Sequence, residues 1–188
     1  MKPITNATTF SLLIFMSFTS LLFTACQKQN INQPNDEVQM SMAKNTQADV
    51  LNFYTGLSKQ TSWELQQVRA ATAKYRNIEN AIKDGYTDIG VDVEHMGHHF
   101  MRAAITDSIF DLKQPEILVY NGNEDGTKQL VAVEYAIPLT YAEPQGFTGL
   151  NDKWKYDTFF GLWLLHAWVW SYNPDGVFNP TNPLVHLH

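Results

Sequence analysis

The sequence predicts an α+β fold, in which a helical part comes first and a small antiparallel β part follows. Two patterns carry this prediction: residues 61–84 repeat apolar side chains at helical spacing, and residues 116–137 contain two β-rich runs separated by a turn. The composition is that of a globular protein, since 44% of the 188 residues are hydrophobic and 17% are charged. We expect one domain over residues 48–188, which is long enough to bury a single core.

The helix over residues 61–84 has both a start and a stop signal. Thr61 and Glu64 have the spacing of a capping box, in which Thr61 caps the helix and Glu64 reaches back to it. Gly85 is placed to end the helix, because glycine readily adopts the left-handed conformation that follows a last turn. A shorter helix is predicted over residues 49–57, where the apolar pattern is looser. The apolar stripe of the long helix consists of Leu65, Val68, Ala71, Tyr75, Ile78 and Ile82.

The β part is predicted from residues 116–120 and 130–137, which contain many β-branched and aromatic side chains. Residues 121–126 between them read Asn-Gly-Asn-Glu-Asp-Gly, a sequence dense in turn formers, so the two runs should form a β-hairpin.

The buried apolar segment 158–172 leaves two interpretations open. Its length and apolar character favour a buried helix, whereas the alternating Trp168, Val169 and Trp170 also suit a strand. Residues 173–188 contain three Asn-Pro pairs and should be extended loop.

Residues 1–25 are predicted to be a lipoprotein signal peptide that is not part of the fold. Lys2 provides the positive charge, and residues 10–23 form an apolar run that is shorter than the roughly 20 residues of a membrane span. The segment ends in Leu-Phe-Thr-Ala-Cys, which resembles the lipobox of bacterial lipoproteins. The resemblance implies cleavage before Cys26 and acylation of that residue. The alternative is an ordinary secretory signal with an incidental cysteine.

Lipid on Cys26 would hold the protein at the bacterial cell envelope, with the membrane as its partner. Gln27 follows the cysteine in place of an aspartate, which resembles sorting to the outer membrane. Residues 26–47 are polar and show no apolar periodicity, so we expect a flexible tether. Nucleic acid is not an expected partner, because the chain has 13 Lys+Arg against 19 Asp+Glu and no basic run.

The six histidines all lie in the second half of the chain, and His95, His98 and His99 fall within five residues. Imidazole is the commonest metal ligand, and the single cysteine excludes a thiolate cage. On a strand, His95 and His99 would be about 13 Å apart, which is too far to share an ion. We therefore expect one or two of these histidines to bind a given ion, with other ligands coming from distant chain.

Two distant residues are candidate ligands. Glu134 is a lone carboxylate in an apolar strand, so it must be paired, bound to metal or solvated, and its small neighbours Ala132 and Ala136 leave room for a ligand. His166 lies in the long apolar segment. The alternatives are a strand with one solvated face and a core histidine bonded to a carbonyl. Three further carboxylates are expected at the surface: Asp107, Asp111 and Glu116.

Several stretches of the chain resemble a family of bacterial, often secreted proteins that has no assigned activity. The shared patterns are MG-x-H-[YF], PE-x-L-x-Y, VEY-x-x-P and LH-x-W-x-W-x-x-NP-x-G-x-F, and the resemblance covers about residues 61–183. It implies that His99, Glu134 and His166 occupy motif positions, but it brings no mechanism. Four histidines lie outside the motif positions: His95, His98, His186 and His188.

Two histidines and one glutamate have the composition of many mononuclear metal sites, including catalytic zinc sites. We predict such a site at His99, Glu134 and His166, with His98 and His95 as further candidate ligands. The cofactor would be a divalent metal ion: Zn, Fe, Mn or Cu. The alternative is a buried His–Glu hydrogen-bond network without a metal.

Three functions are compatible with these features. The first is a metal-dependent enzyme that acts on a small molecule outside the cytoplasm, with Tyr135 or His98 as proton donor. The second is a non-catalytic lipoprotein that binds Cu or Zn, which better explains the surplus histidines. The third is a metal-free module for surface interaction. The sequence contains no P-loop, GxSxG or HExxH motif that would select a known enzyme class.

Overall fold

The helical part of the protein consists of two short α-helices joined by a 3-10 turn. A computed structural model describes residues 50–187, which begin with a 3-10 turn at Val50–Phe53. Helix α1 then spans Lys59–Thr72, a 3-10 turn spans Ala73–Arg76, and helix α2 spans Ile78–Lys83. The helix expected over residues 49–57 is wrong, because its described part forms only the first 3-10 turn.

The predicted start of the long helix is also wrong. Ser58 caps α1, since its hydroxyl accepts a hydrogen bond from the Thr61 backbone N–H at 2.9 Å. Thr61 therefore lies inside the helix, and its hydroxyl donates to the Thr148 carbonyl. Glu64 accepts from the Thr148 N–H at 2.8 Å instead of reaching back to the helix start. A long-range contact thus uses the two side chains that a capping box would pair.

The predicted single helix over residues 61–84 is divided near its middle. Asn77 has an extended backbone and caps α2, because its side chain accepts from the Glu79 N–H at 3.0 Å. The predicted stop at Gly85 is confirmed. Gly85 has φ +94°, and the Tyr86 N–H donates to the Ala81 carbonyl at 3.0 Å, as in a Schellman motif.

The β part is a six-stranded antiparallel sheet with the order β1-β2-β3-β4-β6-β5. The strands are β1 Thr87–Val93, β2 Gly97–Met101, β3 Ile117–Gly122, β4 Lys128–Pro138, β5 Lys155–Asp157 and β6 Leu162–Ala167. The predicted hairpin is confirmed as β3 and β4. The α+β class is therefore confirmed for the described residues.

The apolar segment 158–172 contains a strand, so the helix favoured by its length is wrong. Its first half forms β6, which lies between β4 and β5 and is buried at most positions. Because both faces of such a strand meet other side chains, its sequence is continuously apolar and lacks the alternation of a half-exposed strand. Residues 168–170 follow β6 in irregular chain.

The helices pack on one face of the sheet, and residues after β6 contribute to the apolar clusters on both faces. One face packs against the helices, and we call it the helix face; its core includes Leu65 and Val68 of α1 with Tyr120, Tyr135 and Leu165 of the sheet. We call the other the tail face, because Val185, near the end of the described residues, packs on it. Its apolar cluster includes Val119, Ala132, Ala136 and Leu164 from the sheet and Trp168 and Val185 from the C-terminal segment. As expected, described residues 173–187 contain no helix or strand.

The predictions for the N-terminus lie outside the described residues. These are the signal peptide of residues 1–25, Cys26 and the tether of residues 26–47. Within residues 50–187, the helices are too short or too polar to cross a membrane.

Candidate metal centre

The three predicted ligands lie on three different strands and point to the tail face. Glu134 on β4 is directly opposite His166 on β6. His99 on β2 is opposite Val119 of β3, which in turn is opposite Ala132 of β4. Because side chains alternate along a strand, Ala132 and Glu134 share a face, and so His99 is on that face as well.

The sheet curls so that these side chains converge. The backbones of β2 and β4 are two strands apart, a separation of about 10 Å in a flat sheet. Nevertheless, His99 Nε2 lies 3.7 Å from Glu134 Oε2, and His166 Nδ1 lies 3.1 Å from Glu134 Oε1. One ligand atom from each of the three residues lies within 4.8 Å of the others. The predicted convergence of His99, Glu134 and His166 is therefore confirmed, and we call this group the buried triad.

A hydrogen bond orients His99 with one nitrogen toward the triad. Its Nδ1 lies 2.7 Å from the Val91 carbonyl, which can only accept, so Nδ1 carries the proton. The neutral ring then presents the lone pair of Nε2 to Glu134. Burial lowers the pKa of His99, and so does His166, although Glu134 acts in the opposite direction. His99 is therefore held in the neutral form that binds metals.

Glu134 is held as a carboxylate although it is deeply buried. Burial acts to raise the pKa of Glu134, but the neighbouring His166 and His99 outweigh it and leave the pKa below its usual value. His166 also has its ring stacked against Trp168, with centroids 5.9 Å apart. Its Nε2 is buried and has no hydrogen-bond partner among the described residues. When Nδ1 faces an ion, Nε2 carries the proton, and such a buried donor is costly unless a water molecule meets it.

The spacing of the buried triad fits the ligands of one ion. Ligand atoms at 2.0–2.2 Å from tetrahedral zinc are about 3.4 Å from one another. The two contacts of Glu134 lie near this value, although they use different carboxylate oxygens: Oε1 is 3.1 Å from His166 Nδ1, and Oε2 is 3.7 Å from His99 Nε2. The shorter contact also serves as a hydrogen bond when His166 Nδ1 is protonated. Buried His and Glu groups thus lie within metal-binding distance of one another.

The two further candidate ligands lie elsewhere. His98 is the strand neighbour of His99, so it points to the helix face, where its Nδ1 lies 2.7 Å from Asp92 Oδ1. His95 lies in the turn between β1 and β2 and belongs to a separate group with Glu94 and His186. The described part of the chain brings neither His98 nor His95 to the buried triad.

The expected proton donors are also outside the buried triad. Tyr135 follows Glu134 on β4 and therefore points to the helix face, as His98 does. Its hydroxyl donates to the Leu112 carbonyl at 2.8 Å, and burial raises the pKa of Tyr135 well above its usual value.

Two glutamates, Glu116 and Glu94, have surroundings that the sequence did not predict. Glu116 was expected at the surface, but it is 1% exposed and accepts from the Ala136 N–H at 3.0 Å. Burial raises the pKa of Glu116 to about 8, and the charges of Asp107 and Asp111 add to this effect. Its position directly before an apolar strand was the available signal. Glu94 is adjacent to the histidine cluster, which was a signal that its carboxylate is near imidazoles.

Comparisons with known proteins do not assign the fold or the site to a family. No protein-family model, curated protein or solved structure matches the chain. The resemblance to a bacterial secreted family therefore stays a prediction. The fold and the site define a class in their own terms: an α+β protein with a buried His–Glu–His group beneath an irregular C-terminal segment.

Proposed function

We propose that this protein binds a divalent metal ion, without catalysis, at the bacterial cell envelope. The ligands are His99, Glu134 and His166. One observation carries the proposal: three strands bring these ligand atoms within 4.8 Å of one another, in residues that are only 3%, 2% and 3% exposed. Burying a carboxylate and two imidazoles without compensation is unfavourable, and a cation satisfies all three groups together.

Zinc is the ion that the donor set favours. Two imidazole nitrogens and a carboxylate oxygen suit Zn, Fe, Mn and Cu, and zinc commonly takes three protein ligands of these kinds. The Nδ1 hydrogen bond of His99 to the Val91 carbonyl is the kind of outer contact that orients a metal-binding histidine.

Binding without catalysis is favoured by how the buried triad is covered. Trp168 and Val185 pack on the tail face, and Trp168 stacks on the His166 ring. A substrate would have to displace this segment in order to reach the ion. The expected proton donors also point to the other face of the sheet.

A metal-dependent enzyme acting on a small molecule is the second candidate. It is favoured by the ligand count, because three protein ligands on a four-coordinate ion leave one position for water or substrate. Replacing the ion with Co²⁺ separates the two functions. Closed binding predicts an absorption spectrum that azide does not change, whereas an open position predicts a spectral shift.

The envelope location rests on the sequence. The predicted lipid on Cys26 and the tether of residues 26–47 would place the domain near a membrane surface, with the outer membrane as the expected one. Metabolic labelling with a fatty acid tests this part, because Cys26→Ala should abolish the label without changing the metal content.

Metal analysis of the full chain tests the binding proposal. The chain is purified without a polyhistidine tag and passed over a weak chelator to remove loosely held ions. We expect about one retained ion per chain, and its loss in each of the variants His99→Ala, Glu134→Gln and His166→Ala. His98→Ala is the matched control, since it removes a neighbouring imidazole that points to the other face.

Two results would contradict the proposal. One is a parent protein that retains no ion even after incubation with Zn²⁺. The other is an ion retained by all three triad variants. Either result would leave the buried triad as a hydrogen-bond network and turn the search toward a protein partner.

A further inference from the structure

The turn between β1 and β2 meets the C-terminal segment at a second group of possible ligands. Glu94 and His95 lie in this turn, and His186 comes from the chain end, about 90 residues further on. One ligand atom from each lies within 4.8 Å of the others. Unlike the buried triad, this group faces solvent, since Glu94 and His186 are exposed and His95 is half-buried.

Glu94 connects the turn to the C-terminal segment. Its Oε1 lies 2.8 Å from His186 Nδ1, and its Oε2 accepts from the Leu187 N–H at 3.1 Å. His95 Nδ1 is 3.7 Å from the same Oε1. Both imidazoles therefore lie beside one carboxylate. The negative charge of that carboxylate would favour a cation bound between them.

Both rings turn their Nδ1 atoms toward Glu94 and the C-terminal segment. His95 Nδ1 lies 3.1 Å from the Val185 carbonyl, which can only accept, so this nitrogen is the donor. His186 Nδ1 likewise donates to the Glu94 carboxylate. An ion bound among these Nδ1 atoms and the carboxylate would take the place of the Nδ1 protons, and the rings are close, with centroids 5.3 Å apart.

His95 has a backbone conformation that is rare for a residue with a side chain. It has φ +65°, and among the described residues other than glycine it is the one with a positive φ. Its carbonyl accepts from the Asn182 N–H at 2.7 Å. The left-handed conformation is unfavourable for a residue with a Cβ, so contacts with the C-terminal segment must maintain it.

We propose that Glu94, His95 and His186 form a second, solvent-exchangeable site for Zn²⁺. The ion would fasten residues 182–187 to the β1–β2 turn. Because Val185 lies in this segment and packs on the tail face, occupancy of the surface site would hold the cover of the buried triad in place. The surface site uses none of the triad ligands, so binding at the surface site does not require an ion in the buried centre.

Titration with Zn²⁺ tests the surface site. The probe is Zn²⁺ competing with a chromophoric chelator, added to full chain that already retains its tight ion. We expect one further, weaker site in the parent. In His186→Ala, affinity at this site should fall by at least about 10-fold while the tight ion is retained. His95→Asn should behave alike, because asparagine tolerates the left-handed backbone but lacks the imidazole.

Hydrogen exchange provides the second measurement. Added Zn²⁺ should slow amide exchange over residues 182–187 in the parent and in the control His98→Ala, but not in His186→Ala. In Glu134→Gln the same protection should persist, which separates failure of the buried centre from failure of the surface site. Parent-like Zn²⁺ affinity in both surface variants, or tail exchange that Zn²⁺ does not change in the parent, would overturn the proposal.

Discussion

Side-chain direction along β2 separates the three clustered histidines. His99 points to the tail face and joins the buried triad, whereas His98, one residue earlier, points to the helix face. His95 lies before the strand, in a turn that presents it to the C-terminal segment. Three histidines that fall within five residues of the sequence therefore occupy three different places in the structure.

Glu134→Gln should remove the negative charge of the buried triad while keeping the shape of the side chain. If an ion is bound, the parent should lose stability on chelation, and the variant should be less stable than the parent by about 3–5 kcal/mol. The variant should then be insensitive to a chelator. Denaturant unfolding with and without a chelator measures both effects, and a parent that the chelator leaves unchanged would contradict the metal.

Gly97→Ala should destabilise the start of β2. Gly97 has φ +115°, and a Cβ built on it would lie 2.5 Å from the Tyr120 carbonyl oxygen. Backbone would have to move, so we expect a loss of about 1–3 kcal/mol beyond that of the control. The control is Gly126→Ala, at φ +79° with open space around the added methyl group. Equal unfolding midpoints for the two variants would disprove the steric argument.

At the scale of elements, the helix prediction shows which signals are local and which are not. Gly85 ends α2 as predicted, because the Schellman bonds involve only nearby backbone. Thr61 and Glu64 match a capping box, but both bond to Thr148, far along the chain. Sequence spacing cannot anticipate a partner that is 84 or more residues away.

Ser58→Ala tests the observed start of α1. Removing the hydroxyl that accepts from the Thr61 N–H should cost about 0.5–2 kcal/mol of unfolding free energy. Gln66→Ala is the control, because residue 66 is exposed within the same helix and alanine is a good helix former. If Ser58→Ala and the parent had the same denaturant midpoint of unfolding, Ser58 would not be the residue that caps α1.

At the scale of the whole molecule, a buried carboxyl group should make stability depend on pH. Glu116 has a pKa near its ordinary 4.5 when unfolded and about 8 when folded, so the folded state binds its proton more tightly. Its contribution to stability is therefore fully present below about pH 4.5 and is lost as the pH rises toward 8. The negative charges of Asp107 and Asp111 also raise the pKa of Glu116 and so strengthen the effect.

Glu116→Gln should remove this dependence, because the amide is neutral at every pH and can still accept from Ala136. Between pH 5 and pH 9, its free energy of unfolding should change less than that of the parent, by an amount on the order of a few kcal/mol. Glu143→Gln, an exposed change, should follow the parent. Parallel pH profiles of Glu116→Gln and the parent would show that the carboxyl is ionised in the folded state.

The sequence by itself determined the α+β class, the β3–β4 hairpin, the stop at Gly85 and the candidate residues Glu134 and His166. These features depend on side-chain periodicity, turn chemistry and isolated polar groups in apolar runs, all of which are local properties. Only the tertiary structure decided that residues 162–167 form a strand, that Glu116 is buried, and that the C-terminal segment covers the tail face. It also decided which histidine joins Glu134 and His166, because His99 reaches them across two strands only when the sheet curls. Such contacts depend on the burial and curvature of the assembled sheet, which no short stretch of sequence contains.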